Sequence, residues 1–300
     1  MMRYPRFIVG AILFAVLTLS LFKGYARAGQ DTLLLGLIPE QNIFRQMDRF
    51  RPFAGYLSER LGIKVKLTIL SRYGDIIDRF NQRKMDGAFF GDLTGALAIK
   101  KLGVIPLVRS VNLDDSSVSR GYIIVRKDSG IKSIADMKGR VMAFVDRATV
   151  TGYLFTLVYL RNKGVKNLKH FFSEYYFTGS HDSTVYAVLD GRADIGSVKS
   201  TVFESLTKRD PTIKEELKVI AESPPMPEGT LLVRKGLSDE LKRRIKEVTL
   251  SMDKNKEGRE VLLKMGLKGF VEAGRGDFLP VYKMIKRLGM TVDDYQYRVK

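Results

Sequence analysis

The sequence predicts an α/β fold of two lobes, each built on a doubly wound, mostly parallel sheet, with the lobes joined by a double hinge. Three observations lead there. Short apolar runs alternate with helix-period segments between residues 33 and 101, the alternation restarts at residue 140, and polar stretches flank the second series on both sides. In chain order, residues 33–37 form an apolar strand, and Pro39-Glu40-Gln41-Asn42 turn the chain into a helix that ends near Leu61. That helix carries Phe50, Phe53, Ala54 and Leu57 at helical spacing. Residues 64–70 read as a strand, 73–81 as a helix, 87–90 as a strand closing on Gly91-Asp92, and 93–101 as a further helix. Residues 112–119 are polar and lead into a strand at 122–125. The second series follows with a strand at 140–145, a helix from Thr149, a strand at 174–177, a helix at 183–189 and a strand at 193–198. Glu222-Ser223-Pro224-Pro225-Met226-Pro227 then punctuates a return crossing before a strand at 230–234. The expected division is a leader at 1–28, lobe one from 29–118 and 223–300, and lobe two from 119–222. A single continuous sheet is the plainer alternative, with both polar segments as surface loops.

The amino terminus sets the compartment. Arg3 and Arg6 precede an apolar run from Phe7 to Phe22, and Ala26-Arg27-Ala28 places small residues at the two positions a signal peptidase reads. The run, about 16 residues, is short for a membrane span, so the expected product is cleaved after Ala28 and periplasmic, with an uncleaved anchor as the alternative. The 300 residues contain no Cys, which excludes a lipid-bearing cysteine, disulfides and thiolate metal sites. The formal charge is +18. Four of the 51 bases and no acid lie before Gly29, so the remainder holds 47 bases against 33 acids, a net +14. The bases are interleaved with acids, which points to a solvated surface and to steering of anions rather than to nucleic acid. With two distant histidines, His170 and His181, and no Cys, no metal site is expected. Nor does any spacing of Ser, His and acid, or of paired carboxylates, argue for an enzyme or a cofactor.

The stretch FVDRATVTGYLF, residues 144–155, carries the most information. A strand-like run gives way to a turn and a helix whose first residues include Thr149, Thr151 and Gly152. A helix start leaves backbone N–H groups unpaired and presents the positive end of its dipole, which suits a phosphate-like anion, and Gly152 would let a ligand approach the backbone. The alternative is that Thr149 or Thr151 caps its own helix. On the next loop, Gly179-Ser180-His181-Asp182 offers an imidazole as a second clamp, or a histidine held in a structural loop bond.

These residues, with LLLGLIPEQN, MDGAFFGDLTGALA, YIIVRKDSGIKSIADMKGR, FTGSHDSTVYAVLDGRADIGSV, VIAESPPMPEGTLLVRKGL and GFVEA, resemble the phosphate, phosphite and phosphonate substrate-binding proteins of ABC importers, which have the type 2 periplasmic-binding fold. The resemblance implies two lobes closing on an oxyanion held by helix amino termini, hydroxyls, a tyrosine and the histidine of GSHD. On this sequence those positions are Tyr73, Thr149, Thr151 and His181. It also implies a small anionic ligand and a permease partner in the inner membrane, with the receptor acting as a monomer. The rivals are a receptor of the same fold for a sulfonate or another organic anion, and a sensory protein feeding a membrane kinase.

Three departures bear on the ligand. Where family members read DPASTSGYLF this chain has DRATVTGYLF, so Arg147 replaces a proline and Val150 a hydroxyl residue. Lys199 stands where the family often has Asp. Following a strand, it should face the cleft and pair with the anion, or else start the next helix as a solvated lysine. Asp92 and Gly95 replace a proline and a tyrosine in the lobe-one turn, and Asp92 is expected to cap its own helix, lessening that turn's appetite for anions.

Overall fold

The protein was analysed as a computed structural model, which describes residues 31–298. The expected leader, 1–28, lies outside the described residues. Two sheets carry the fold. The first has six strands in the order β13-β4-β12-β3-β1-β2, where β1 is Thr32–Leu37, β2 Lys64–Ile69, β3 Gly87–Phe90, β4 Ile105–Asn112, β12 Thr230–Val233 and β13 Leu267–Glu272. The second has five, ordered β10-β6-β9-β7-β8, from β6 Gly121–Arg126, β7 Val141–Phe144, β8 Glu174–Phe177, β9 Ile195–Lys199 and β10 Leu217–Glu222. β1 pairs in parallel with β2 and β3, and β7 with β8 and β9. β12 and β13 run antiparallel to β4, and β6 runs antiparallel to β9 and β10. The two polar crossings are not loose loops. Val118–Ser119 (β5) and Met226–Pro227 (β11) pair with each other, and the Gly121 N–H donates to Ser223 Oγ at 2.8 Å.

Local chemistry explains the element boundaries. The helix Ile43–Leu61 starts where the Asn42 side chain accepts from the N–H groups of Phe44 and Arg45, and it ends at Gly62, whose φ of 66° only glycine adopts cheaply. Its buried stripe of Phe50, Phe53, Ala54, Leu57 and Leu61 packs on Leu33, Leu35, Leu37 and Phe89. A larger apolar cluster spans both sheets. It joins Phe90, Leu93 and Leu97 beside the first sheet with Phe144, Leu154 and Phe155 beside the second. Phe278, Val281 and Ile285 of the carboxyl-terminal segment complete it.

The carboxyl-terminal segment, expected within lobe one, also reaches the second sheet. The helix Leu279–Arg287 contacts the chain at 150–161, Arg161 donates to the Leu288 carbonyl at 2.7 Å, and the Tyr295 hydroxyl donates to the Arg147 carbonyl at 2.7 Å. Phe278 also explains one departure. A Cβ on Gly95 would lie 2.4 Å from the Phe278 ring, so this ring occupies the space a side chain at position 95 would need.

Candidate functional site

The residues at or just beyond the carboxyl ends of β1, β3, β7 and β9, among them Glu40, Asp92, Thr151 and Lys199, meet around one place, as expected for ligand sites of open α/β folds. β7 ends at Phe144 and the chain turns through Asp146, which accepts from the Ala148 N–H at 2.8 Å. A π-helical turn, Val150–Leu154, then precedes the helix Phe155–Arg161. Such wide turns recur at functional sites, and this one leaves the Val150 and Thr151 N–H groups pointing off the helix start.

Those two donors converge on a carboxylate of the opposite lobe. The Val150 N–H reaches Asp92 Oδ1 at 3.0 Å and the Thr151 N–H reaches Asp92 Oδ2 at 3.1 Å. The expected oxyanion cradle therefore exists, and the oxyanion in it is the protein's own. Asp92 also accepts from the Leu93 N–H at 2.6 Å, but it is the first residue of its helix and Gly91 holds the cap position, so the expected capping role is not the one it plays: its carboxylate is spent across the cleft. Burial pushes the Asp92 carboxyl above its ordinary range, against the lowering effect of its backbone hydrogen bonds and of Lys199.

The expected site residues meet around one small chamber, lined by Tyr73, Asp92, Ser119, Thr149, Thr151, His181 and Lys199 together with Glu40. Its volume is about 10 Å³, room for about one water molecule. The Tyr73 and Ser119 hydroxyls are buried there without a hydrogen-bond partner among the described residues. Val150 takes part through its N–H alone, since its side chain is buried in the apolar cluster.

Thr149 occupies the cap position, but its hydroxyl makes no capping bond and donates instead to the Asp146 carbonyl at 2.7 Å. Gly152 corrects the sequence reading. A Cβ there would strike Val145 at 2.6 Å, so the glycine permits strand and turn to touch rather than a ligand to approach.

His181 is the first residue of the helix His181–Leu189 rather than part of a turn, and Ser180 caps that helix. Its Nδ1 accepts the Lys199 N–H at 3.0 Å, its N–H donates to the Glu40 carbonyl at 3.1 Å, and its ring meets Tyr73 edge to face. Burial, reinforced by the Lys199 charge, lowers its pKa to about 3. The imidazole is thus neutral at physiological pH, and with Nδ1 accepting, Nε2 carries the proton and can donate. NMR of the imidazole is expected to show no titration between pH 5 and 8; a midpoint near 6.5 would place His181 in solvent and outside the chamber.

Lys199 lies at the strand end, as expected, yet its ammonium is already engaged. It donates to Glu40 Oε1 at 2.8 Å and makes a close ion pair with Glu228, both carboxylates coming from the first-sheet side. It is neither the solvated lysine nor the unengaged anion-pairing group considered from the sequence. Burial would lower its pKa, but the two carboxylates hold it above its ordinary value. At Glu40 burial works upward, and Lys199 nonetheless brings the carboxyl below its ordinary value.

Glu40, Asp92, Ser119 and Glu228 were the site members missed in sequence reasoning. Glu40 and Asp92 each follow a strand, the one available signal, while nothing local marks Ser119 or Glu228.

Two α/β halves with paired crossings, and a cleft whose donors hold an oxyanion across it, define a solute receptor of the periplasmic-binding class. The chain belongs to the family described as ABC transporter, phosphonate, periplasmic substrate-binding protein, whose pattern matches residues 35–278. It is 27% identical to a probable ABC transporter phosphite binding protein, PhnD1, of Prochlorococcus marinus, over 91% of this chain and 94% of that one. It is 25% identical to the phosphonates-binding periplasmic protein of Escherichia coli, over 91% and 81%. The structure of the Prochlorococcus marinus PhnD1 in complex with methylphosphonate superposes with a TM-score of 0.78 at 24% identity, covering 86% of this chain and 98% of that one. Among the described residues no helix is long and apolar enough to cross a membrane.

Proposed function

We propose that this protein captures a small phosphorus oxyanion or phosphonate between its lobes and presents it to an ABC permease, with no covalent chemistry of its own. It acts as a periplasmic monomer freed of residues 1–28, its lobes being 29–118 with 223–300, and 119–222. One observation carries the reading: the Val150 and Thr151 N–H groups hold a carboxylate across the cleft, so the helix start is a working oxyanion cradle. Around it stand donors suited to further ligand oxygens, namely the Tyr73, Ser119 and Thr151 hydroxyls and the His181 Nε2–H.

A tetrahedral oxyanion is too large for the present chamber. It enters by hinge opening at the β5 and β11 crossings and by displacing Asp92 from the two N–H groups. The receptor then closes on the ligand in place of its own carboxylate, so affinity is the difference between two oxyanions competing for one cradle.

Calorimetry with phosphate, phosphite, methylphosphonate and 2-aminoethylphosphonate tests this. At least one is expected to bind, and Thr151→Ala and Tyr73→Phe should each weaken it by about 1 to 3 kcal/mol, the worth of a hydrogen bond to a charged group. Absence of binding by all four, or affinities unchanged in both variants, would return these residues to structural roles.

A further inference from the structure

The Lys199 ion pairs divide the cleft in two. Inside them lies the small chamber of the cradle; outside lies one of about 460 Å³, which shares only Glu40 and Lys199 with the first. The outer volume falls in the range of pockets that enclose organic ligands. Two helices wall it with residues spaced four apart, so each presents a single face. The helix Ile43–Leu61 contributes Arg45 and Arg49, and the helix Ser200–Arg209 contributes Thr201, Ser205 and Arg209, with Lys264 opposite.

The charges here are unbalanced. Arg45, Arg209 and Lys264 have no acidic partner among the described residues, and the one nearby acid that is not part of the Lys199 cluster, Asp48, is paired with Arg51. Arg49 spends its Nε–H on the Met265 carbonyl. Its guanidinium is held below its ordinary pKa by burial and by Arg209, against the pull of Glu40 and Glu228. Cations that outnumber the acids around them repel one another, and a bound dianion relieves that repulsion.

The inner wall asks for something different. Glu228 Oε1 is taken by Lys199 and by the Gly229 N–H at 3.0 Å, but Oε2 is buried without a partner among the described residues, and Glu228 lines the outer chamber alone. A buried acceptor requires a donor. An ammonium would suit Oε2 poorly, because the Lys199 ammonium sits beside it and repels a second cation. A neutral hydroxyl satisfies it without that cost.

From the outer chamber's arginines and its orphaned carboxylate oxygen, we infer a second binding site for a hydroxyl-bearing organic phosphate, independent of the inner cradle. The phosphate lies among Arg45, Arg49, Arg209 and Lys264, and a hydroxyl of the ligand donates to Glu228 Oε2. A ligand that must reach both the cations and the acidic wall is a small phosphorylated polyol rather than inorganic phosphate.

The test uses sn-glycerol 3-phosphate as probe, titrated calorimetrically into the protein alone and into protein saturated with methylphosphonate. The expected result is binding in both, with dissociation constants within about threefold of each other, and at least tenfold weaker binding of methyl phosphate, which lacks the hydroxyls. Arg209→Glu and Arg45→Glu should each weaken glycerol 3-phosphate by at least tenfold while leaving methylphosphonate within threefold. Both side chains are exposed, so melting temperatures should stay at the wild-type value, and Arg→Gln changes serve where they do not. Failure of glycerol 3-phosphate to bind, its displacement by methylphosphonate, or indifference to both charge reversals overturns the inference. Binding of glycerol 3-phosphate, weakened by both charge reversals, without binding of phosphate, phosphite, methylphosphonate or 2-aminoethylphosphonate upholds it and overturns the cradle reading instead.

Discussion

Asp92→Ala is expected to leave the protein less stable in anion-free buffer and to tighten its grip on oxyanions. The substitution strips the Val150 and Thr151 N–H groups of their shared acceptor in a buried site. Each orphaned donor costs about 1 to 3 kcal/mol, partly offset because a buried carboxylate is no longer desolvated. A net loss of about 2 kcal/mol in urea unfolding is the expected outcome. Added phosphate or methylphosphonate restores it, since a ligand at a hundred times its dissociation constant stabilises by about 2.7 kcal/mol.

Affinity for the anion should rise at least tenfold over wild type, because the ligand no longer competes with a tethered carboxylate. The pH dependence follows from the raised Asp92 pKa. A carboxyl that holds its proton more tightly when folded adds stability below its unfolded value near 3.8, and that contribution is lost as pH rises through the higher folded value. The alanine variant should lose the Asp92 part of this slope and keep the part due to Asp146, whose pKa burial also raises, to about 6. Anion affinity equal to or below wild type would mean that Asp92 supports the ligand rather than standing in for it.

Lys199→Met should be the more damaging change. It removes the cation from between Glu40 and Glu228, leaving a buried and a half-buried carboxylate without the ammonium that joins them. Breaking a buried pair by deleting one member costs about 3 to 5 kcal/mol. The double variant Lys199→Met with Glu228→Gln should recover part of that loss, since one negative charge goes with its partner. Chemical denaturation of wild type, the single and the double variant measures both steps. If the single change costs under about 1 kcal/mol, Lys199 is a dispensable ligand-facing group and the division of the cleft into two chambers does not depend on it. Lys199→Asp, the substitution the resembling family suggests, should fare worse still, because it sets a third carboxylate beside two.

Much of the fold was legible in the chain. The alternation of strand and helix in residues 33–101 and 140–198, and the two polar crossings, each arise from local periodicity, so the paired sheets could be anticipated. The cradle was legible for the same reason. Unpaired N–H groups at a helix start are a property of a few consecutive residues, and Thr149 to Gly152 display it in sequence. The helix at His181, expected two residues later, shows how a capping serine moves a boundary.

What occupies and surrounds the cradle was not legible, because it depends on residues far apart in the chain. Asp92 meets Val150 58 residues away, and Lys199 meets Glu40 159 residues away. Read locally, Asp92 is a cap and Lys199 a cation at a strand end; the second description holds, whereas Gly91 takes the cap position and Asp92 begins the helix. Gly152 and Gly95 tell the same story, since the atoms that demand a missing Cβ belong to Val145 and Phe278. The sequence by itself determined two α/β lobes and a helix start able to hold an oxyanion. Only the tertiary structure decided that a carboxylate from the other lobe fills it and that a lysine between two glutamates splits the cleft, because burial and long-range charge pairing exist only once the chain has closed on itself.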